Sequence, residues 1–167
     1  STITAATLPT LKNIENVVLY DSKATSVDLT KWDSVETLFL VRDKNTAGYT
    51  LGEKVTTVNL EDVAVAQDLT FDAALTAATL GVNNVTAGTG VTVAGAALKT
   101  LTVNASGKES TISNITNAAI ETLNITGKAN LTLTSVAGLG TVKTVDGSKA
   151  EGNLTLTNTT SMTSIKT

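Results

Sequence analysis

Residues 35–40 read Val35-Glu36-Thr37-Leu38-Phe39-Leu40, in the order apolar, any residue, Thr, apolar, any residue, apolar. This pattern returns about every 21 residues along the whole chain, with some substitutions at individual positions. Its copies begin at residues 14, 35, 55, 77, 98, 120, 142 and 162. A repeat of this length indicates a stack of like units, each of which buries its apolar face only against its neighbours.

Each repeat also carries a second, shorter run of alternating apolar and polar residues, such as Val27-Asp28-Leu29 or Leu131-Thr132-Leu133. Two strands and two turns per repeat predict an all-β fold, a parallel β-solenoid (β-helix) of about seven to eight coils. Residues 14–167 would form the solenoid and residues 1–13 an N-terminal edge or linker. A leucine-rich-repeat fold is disfavoured, because the repeats lack its regular Asn after the strand. Neither end carries an evident cap, so we expect the chain to be a segment of a longer protein.

Stacking the repeats in register predicts which side chains share a column. The third position predicts a structural ladder of hydroxyl side chains that consists of Thr37, Thr57, Thr79, Thr100, Thr122 and Thr144. The fourth position predicts a single inward apolar row, the structural core, that consists of Val17, Leu38, Val58, Leu80, Leu101, Leu123, Val145 and Ile165.

The composition excludes several classes of function. The chain has 12 Lys+Arg against 15 Asp+Glu, so no basic face for nucleic acid is expected. It contains no Cys and no His, which excludes disulfides, thiolate metal sites and a Ser-His-Asp triad within it. No apolar stretch is long enough to span a bilayer, so membrane insertion is not expected.

Charged residues offer few candidates for chemistry. Arg42 with Asp21, Asp43 and Asp62 is the one cluster that resembles a polysaccharide-degrading site, and a stacked ion pair explains it more simply. We therefore predict no catalytic residues and no enzyme. Calcium is the one cofactor considered, with Asp43, Glu61 and Asp62 as candidate ligands in the turns. No calcium-binding nonapeptide or EF-hand loop is present in the sequence.

Two segments resemble a known family. Leu123-Asn124-Ile125-Thr126-Gly127-Lys128-Ala129-Asn130-Leu131-Thr132-Leu133-Thr134 and Val142-Lys143-Thr144-Val145-Asp146-Gly147-Ser148 are similar to repeats of Gram-negative S-layer proteins and of related type I-secreted repeat adhesins. The resemblance covers most of the chain and is best from about residue 98 to residue 157. It implies secretion by the type I route, anchoring to lipopolysaccharide and a calcium-dependent two-dimensional lattice.

These observations predict a non-enzymatic structural module of an extracellular bacterial cell-surface protein, with an S-layer subunit as the first choice. Its expected partners are further copies in a lattice or flanking repeats, with lipopolysaccharide or glycan bound through other parts of the protein. The alternative is a stalk or ligand-binding module of a large adhesin, in which aromatic rings would line a groove. A carbohydrate-active β-helix and an ice-binding solenoid are less favoured. The rings available for a groove are Tyr20, Trp32, Phe39, Tyr49 and Phe71.

Overall fold

The computed structural model describes residues 2–4, 7–86, 88, 90–117, 119–139, 141–158 and 164–166. Within these residues every strand pairs with its neighbours in parallel, and consecutive coils are stacked on one another. The prediction of a parallel β-solenoid is confirmed. The solenoid has about 6 turns with a spacing of ~22 residues, slightly fewer turns than predicted. None of the described residues forms a helix with the length and apolar character needed to cross a membrane.

In the described ranges, one face of the solenoid is an eight-stranded sheet, here called the long sheet. It contains the first strand of every repeat, because the motif alternates apolar and polar residues over the length of a strand. Its strands are β2 (Asn16–Tyr20), β4 (Thr37–Val41), β6 (Thr57–Glu61), β8 (Ala77–Asn83), β10 (Thr100–Ala105), β13 (Thr122–Gly127), β15 (Thr144–Ala150) and β17 (Ser164–Lys166).

The shorter strands form two further sheets. The second sheet has six strands: β1 (Thr2–Ile3), β3 (Ser26–Asp28), β5 (Tyr49–Thr50), β7 (Gln67–Thr70), β9 (Val91–Ala94) and β12 (Ile115–Thr116). The third sheet has three strands: β11 (Ser110–Ile112), β14 (Leu131–Ser135) and β16 (Leu154–Asn158).

The coil that begins with β10 departs from the predicted two strands per repeat. It contributes β11 to the third sheet and β12 to the second, so the second sheet ends where the third begins. Ile112 and Ile115 are both completely buried, although only two residues separate them. The chain must therefore turn between these residues, since an odd spacing on one straight strand would point them to opposite faces.

The inward side chains of the long sheet form the centre of the core. In the predicted core row, six side chains are at most 1 % exposed: Leu38, Val58, Leu80, Leu101, Leu123 and Val145. Val17, on the edge strand β2, is only partly buried. Ile165 pairs with Val145 through the backbone, and its side chain lies outside the described part of the structure.

The register between β8 and β10 differs from the prediction by two residues. Leu80 lies opposite Val103 rather than Leu101, and Thr79 lies opposite Thr102 rather than Thr100. The single predicted Thr ladder is therefore two shorter ladders: Thr37, Thr57 and Thr79 in one, and Thr100, Thr122 and Thr144 in the other.

The cause is the length of the segment that leads into β8. Val55 and Leu75 both end a turn, in which their N–H groups donate to Gly52 O and Asp72 O. Two residues separate Val55 from Val58, whereas four separate Leu75 from Leu80, the partner of Val58. An even shift keeps every apolar side chain on the inner face, so the alternation of the sequence could not reveal it.

Candidate functional site

Each coil of the first half turns out of the long sheet through one residue in the left-handed conformation. Asp21, Arg42, Asp62 and Asn84 have φ angles of 53, 52, 53 and 54°. The backbone N–H groups of the first three donate to carbonyls at the strand ends of the next coil, at 2.8 to 3.0 Å. Asp and Asn tolerate this conformation because their short polar side chains hydrogen-bond locally, whereas Arg has no such advantage. These stacked corners position the charged residues that the sequence singled out.

The charges at these corners do not pair as predicted. The sequence suggested that Arg42 forms a stacked ion pair with the carboxylates before and after it. Instead, Arg42 Nη1 donates to the Tyr20 hydroxyl at 2.6 Å, and its guanidinium lies 5.3 Å from the centre of the Tyr20 ring. Asp21 pairs with Lys44 at 2.5 Å, and this hydrogen bond is the main reason that the pKa of Asp21 lies below its ordinary value. Asp62 accepts a hydrogen bond from Asn84 Nδ2 at 2.6 Å.

The three calcium candidates have different environments. Asp43 is 2 % exposed and turned into the core, Glu61 is half-buried at the end of β6, and Asp62 is exposed at its corner. Among the residues that the structure describes, no group of three or more acidic side chains is placed to hold a metal ion. The calcium prediction for Asp43, Glu61 and Asp62 gains no support from this arrangement. The structure also separates the residues that resembled a polysaccharide-degrading cluster, since Arg42 faces solvent and Asp43 faces the interior.

Asp43 belongs to a buried polar cluster that the sequence did not reveal. Its Oδ1 accepts a hydrogen bond from the Tyr49 hydroxyl at 2.8 Å. Gln67, on the next coil, is 1 % exposed and donates from Nε2 to Asn45 O at 3.1 Å. Asn45 Oδ1 in turn accepts the N–H of Ala47 at 2.9 Å, which fixes the connecting loop. The repeat alignment contains the signal that could have indicated this cluster, because these residues stand where adjacent coils have aliphatic side chains. Tyr49 lies between Val27 and Leu69 in its column, and Gln67 lies opposite Val91.

A second feature is the open edge of the long sheet at β2. In the described part of the chain, β2 has a paired neighbour, β4, on one side only. Its core-facing residues Val17 and Leu19 are only partly buried, whereas Leu38 and Leu40, their partners on β4, are completely buried. On the outer face of the same strand, Val18 and Tyr20 are 59 % and 61 % exposed.

The aromatic residues do not line a common groove. Trp32, Tyr49 and Phe71 are buried in the core, with exposures of 5 %, 2 % and 4 %. Phe39 is half-buried on the outer face, directly opposite Val18. The outer face thus carries a small apolar patch on β2 and β4, made by Val18, Tyr20, Phe39 and Val41, which we call the β2–β4 patch.

The other end of the outer face is polar. A shallow cleft of about 220 Å³ lies where the register between β13 and β15 shifts, and its lining is mostly hydroxyl, amide and charged groups. The lining residues are Thr102, Asn124, Ile125, Thr126, Asp146 and Lys149. These hydroxyl, amide and charged groups can make polar contacts with a ligand or a neighbouring chain.

Comparison with protein-family models, with curated proteins and with solved structures finds no match for this chain.

Proposed function

We propose that this chain is a non-enzymatic structural module of a bacterial cell-surface protein, most simply part of an S-layer subunit that assembles into a two-dimensional lattice. In this proposal the solenoid serves as a rigid spacer and presents its outer faces for contacts with neighbouring subunits. The proposed location is extracellular. Lipopolysaccharide or glycan would be bound by other parts of the protein.

The observation that carries the proposal is the continuous ladder of the long sheet together with its unsatisfied edge. Among the residues that the structure describes, the ladder runs through eight strands and stops at β2, where two apolar side chains that face the core are only partly covered. A parallel edge of this kind pairs readily with another strand. Further support comes from the composition and from the S-layer-like cadence of residues 98–157, neither of which requires a catalytic group.

The backbone of β2 shows which groups an incoming strand would meet. Glu15 O accepts the N–H of Thr37, and the N–H of Asp21 donates to Val41 O. In a parallel ladder alternate residues bond to the same neighbour, so residues 15, 17, 19 and 21 are directed toward β4. The N–H and C=O groups of Asn16, Val18 and Tyr20 are therefore directed toward the open edge.

The test is to block this edge without disturbing the fold. The one backbone N–H that Pro at position 18 removes is directed outward and bonds to no strand of the sheet. Val18→Pro should therefore keep the melting temperature within a few degrees of wild type and abolish self-association. Association is measured by analytical ultracentrifugation over a concentration series, and sheets or rods by electron microscopy. The matched control is Val17→Pro, which removes an N–H that bonds to β4 and should lower the melting temperature. Self-association that survives Val18→Pro, or a wild-type chain that stays monomeric in isolation and forms no ordered arrays within its parent protein, would count against the proposal.

The second candidate function is a stalk or ligand-binding module of a large adhesin. The β2–β4 patch favours it, because Tyr20 and Val18 are more than half exposed and Arg42 holds the Tyr20 ring in place. Exposed aromatic residues next to Arg are typical of interaction hot spots. Binding of a glycan or host protein that is lost in a Tyr20→Ser variant would favour this function over the lattice.

A further inference from the structure

Three polar residues occupy core positions that later coils fill with aliphatic side chains. Asp43 follows the corner residue Arg42, and the corresponding residues after Asp62 and Asn84 are Val63 and Val85, both completely buried. Tyr49 replaces the Val or Leu found at this position in the adjacent coils, and Gln67 lies opposite Val91. The three substitutions coincide in one corner of the solenoid, which indicates that they act together.

The hydrogen bonds of this corner leave two acceptors without a donor. Tyr49 donates to Asp43 Oδ1, and Gln67 Nε2 donates to Asn45 O. Asp43 Oδ2 and Gln67 Oε1 are fully buried and receive no hydrogen bond from the protein. The Gln67 side chain lies within hydrogen-bonding reach of the Asp43 carboxyl on the preceding coil. A buried acceptor without a partner is costly, and a buried carboxylate ion more so.

A single proton satisfies both acceptors. We propose that Asp43 and Gln67 form a proton-sharing pair, in which the folded chain keeps the Asp43 carboxyl protonated and its O–H donates from Oδ2 to Oε1 of Gln67. The proton comes from water during folding, and Asp43 returns it to water when the chain unfolds at a pH above its ordinary range. The pair is neutral and joins two consecutive coils through the core. Calcium fits this corner poorly, because it requires six to eight oxygen ligands and only two unpaired side-chain oxygens are present here.

The surroundings are consistent with a neutral acid. Burial raises the pKa of Asp43 above its ordinary value of 3.8, and this effect outweighs the Tyr49 hydroxyl, the Gln67 side chain and the backbone N–H groups of Asn45 and Lys44, which act in the opposite direction. Burial also raises the pKa of Tyr49, so its hydroxyl stays protonated and remains a donor. The charged groups on adjoining segments are Lys44, which is exposed and paired with Asp21, and Asp68, which is exposed beside Gln67 on β7.

The sign of the pH dependence follows from this raised pKa. The folded chain binds more protons than the unfolded chain between the ordinary pKa of Asp and the raised value. The contribution of Asp43 to stability is thus complete below about pH 4 and is lost as the pH rises through the folded pKa.

The experiment compares wild type with Asp43→Asn, whose amide oxygen accepts from Tyr49 and whose NH₂ group donates to Gln67 Oε1 at any pH. Denaturant midpoints of both proteins are measured between about pH 4 and pH 9. The wild-type midpoint should fall relative to that of Asp43→Asn as the pH rises. A difference that stays constant over this range, or that grows in the opposite direction, would overturn the proposal.

Two further measurements keep the test decisive. Infrared spectra of the wild-type chain at about pH 5.5, where ordinary aspartates are ionised, should contain a protonated carboxylic acid band that Asp43→Asn lacks. Should Asp43→Asn fail to fold, Asp43→Val takes its place, since Val63 and Val85 occupy the same position in later coils. Absence of the band, or a midpoint that added calcium raises in wild type but not in the variant, would contradict the shared proton.

Discussion

Arg42 holds a backbone conformation that its side chain does not favour. Its φ angle of 52° lies in the left-handed region, where the equivalent corners use Asp or Asn. This conformation costs most residues about 1–2 kcal/mol. The contact of its guanidinium with Tyr20 offsets part of that cost, since such contacts contribute about 0.5–1 kcal/mol at exposed sites.

Two substitutions at this residue separate the backbone effect from the side-chain contact. Arg42→Asn and Arg42→Val both remove the contact with Tyr20, but only Asn is at ease in the left-handed region. We expect the free energy of unfolding of Arg42→Val, measured by urea denaturation, to be about 1–2 kcal/mol lower than that of Arg42→Asn. Equal midpoints would mean that the corner relaxes to a different conformation in the variants.

At the scale of the strand, side-chain alternation determines which face of the sheet a residue occupies but not the register between neighbouring strands. The two-residue shift between β8 and β10 illustrates this difference. Ala77 and Ala78 lengthen the segment between the turn and Leu80, so that β8 has seven residues while β6 has five. Removing both residues would place Leu80 three positions after Leu75, as Val58 follows Val55. Every apolar side chain would then keep its facing.

We therefore expect a chain that lacks both Ala77 and Ala78 to fold, with a melting temperature within several degrees of wild type. Deletion of Ala78 alone is the matched control. It changes the facing of Leu80 and of the rest of β8 unless the strand forms a bulge, so it should cost far more stability. Thermal melts followed by circular dichroism distinguish the two. If the single deletion is tolerated as well as the double deletion, the facing is not what fixes this strand.

The same shift explains how far the sequence could predict the elements. The repeat and its alternation predicted the parallel solenoid, the long sheet and the inward position of Leu38 or Leu123, because all of these depend on periodicity. Neither the register at Leu80 nor the division of the shorter strands into two sheets could be predicted, since the first depends on the length of the segment between a turn and its strand and the second on where the chain turns. The Asp43 corner was missed for another reason. Asp43, Tyr49 and Gln67 lie on different parts of two coils, up to 24 residues apart in the sequence. Each of them, taken alone, is an ordinary polar residue in a loop or strand.

The whole molecule is a one-dimensional stack in which each coil touches mainly the coils before and after it. β10 pairs with β8 and β13 and with no other strand of the long sheet. The stability of such a stack is approximately the sum of the contributions of its units and of the interfaces between neighbours. Damage in one coil should therefore weaken its two interfaces and spread little further.

Leu101 tests this property, because it is completely buried at the middle of the stack and lies between Ala78 and Leu123. Leu101→Asp places a charge in the core and should cost several kcal/mol. Hydrogen exchange should then show lost protection in β8, β10 and β13, while β4 and β6 stay protected. The control Thr100→Ala changes the adjacent half-buried ladder position and should cost about 0.2–1 kcal/mol without altering the exchange pattern. Equal loss of protection in every strand would instead mean that the solenoid opens as a single cooperative unit, because its interfaces would then be too strong to separate one coil from the next.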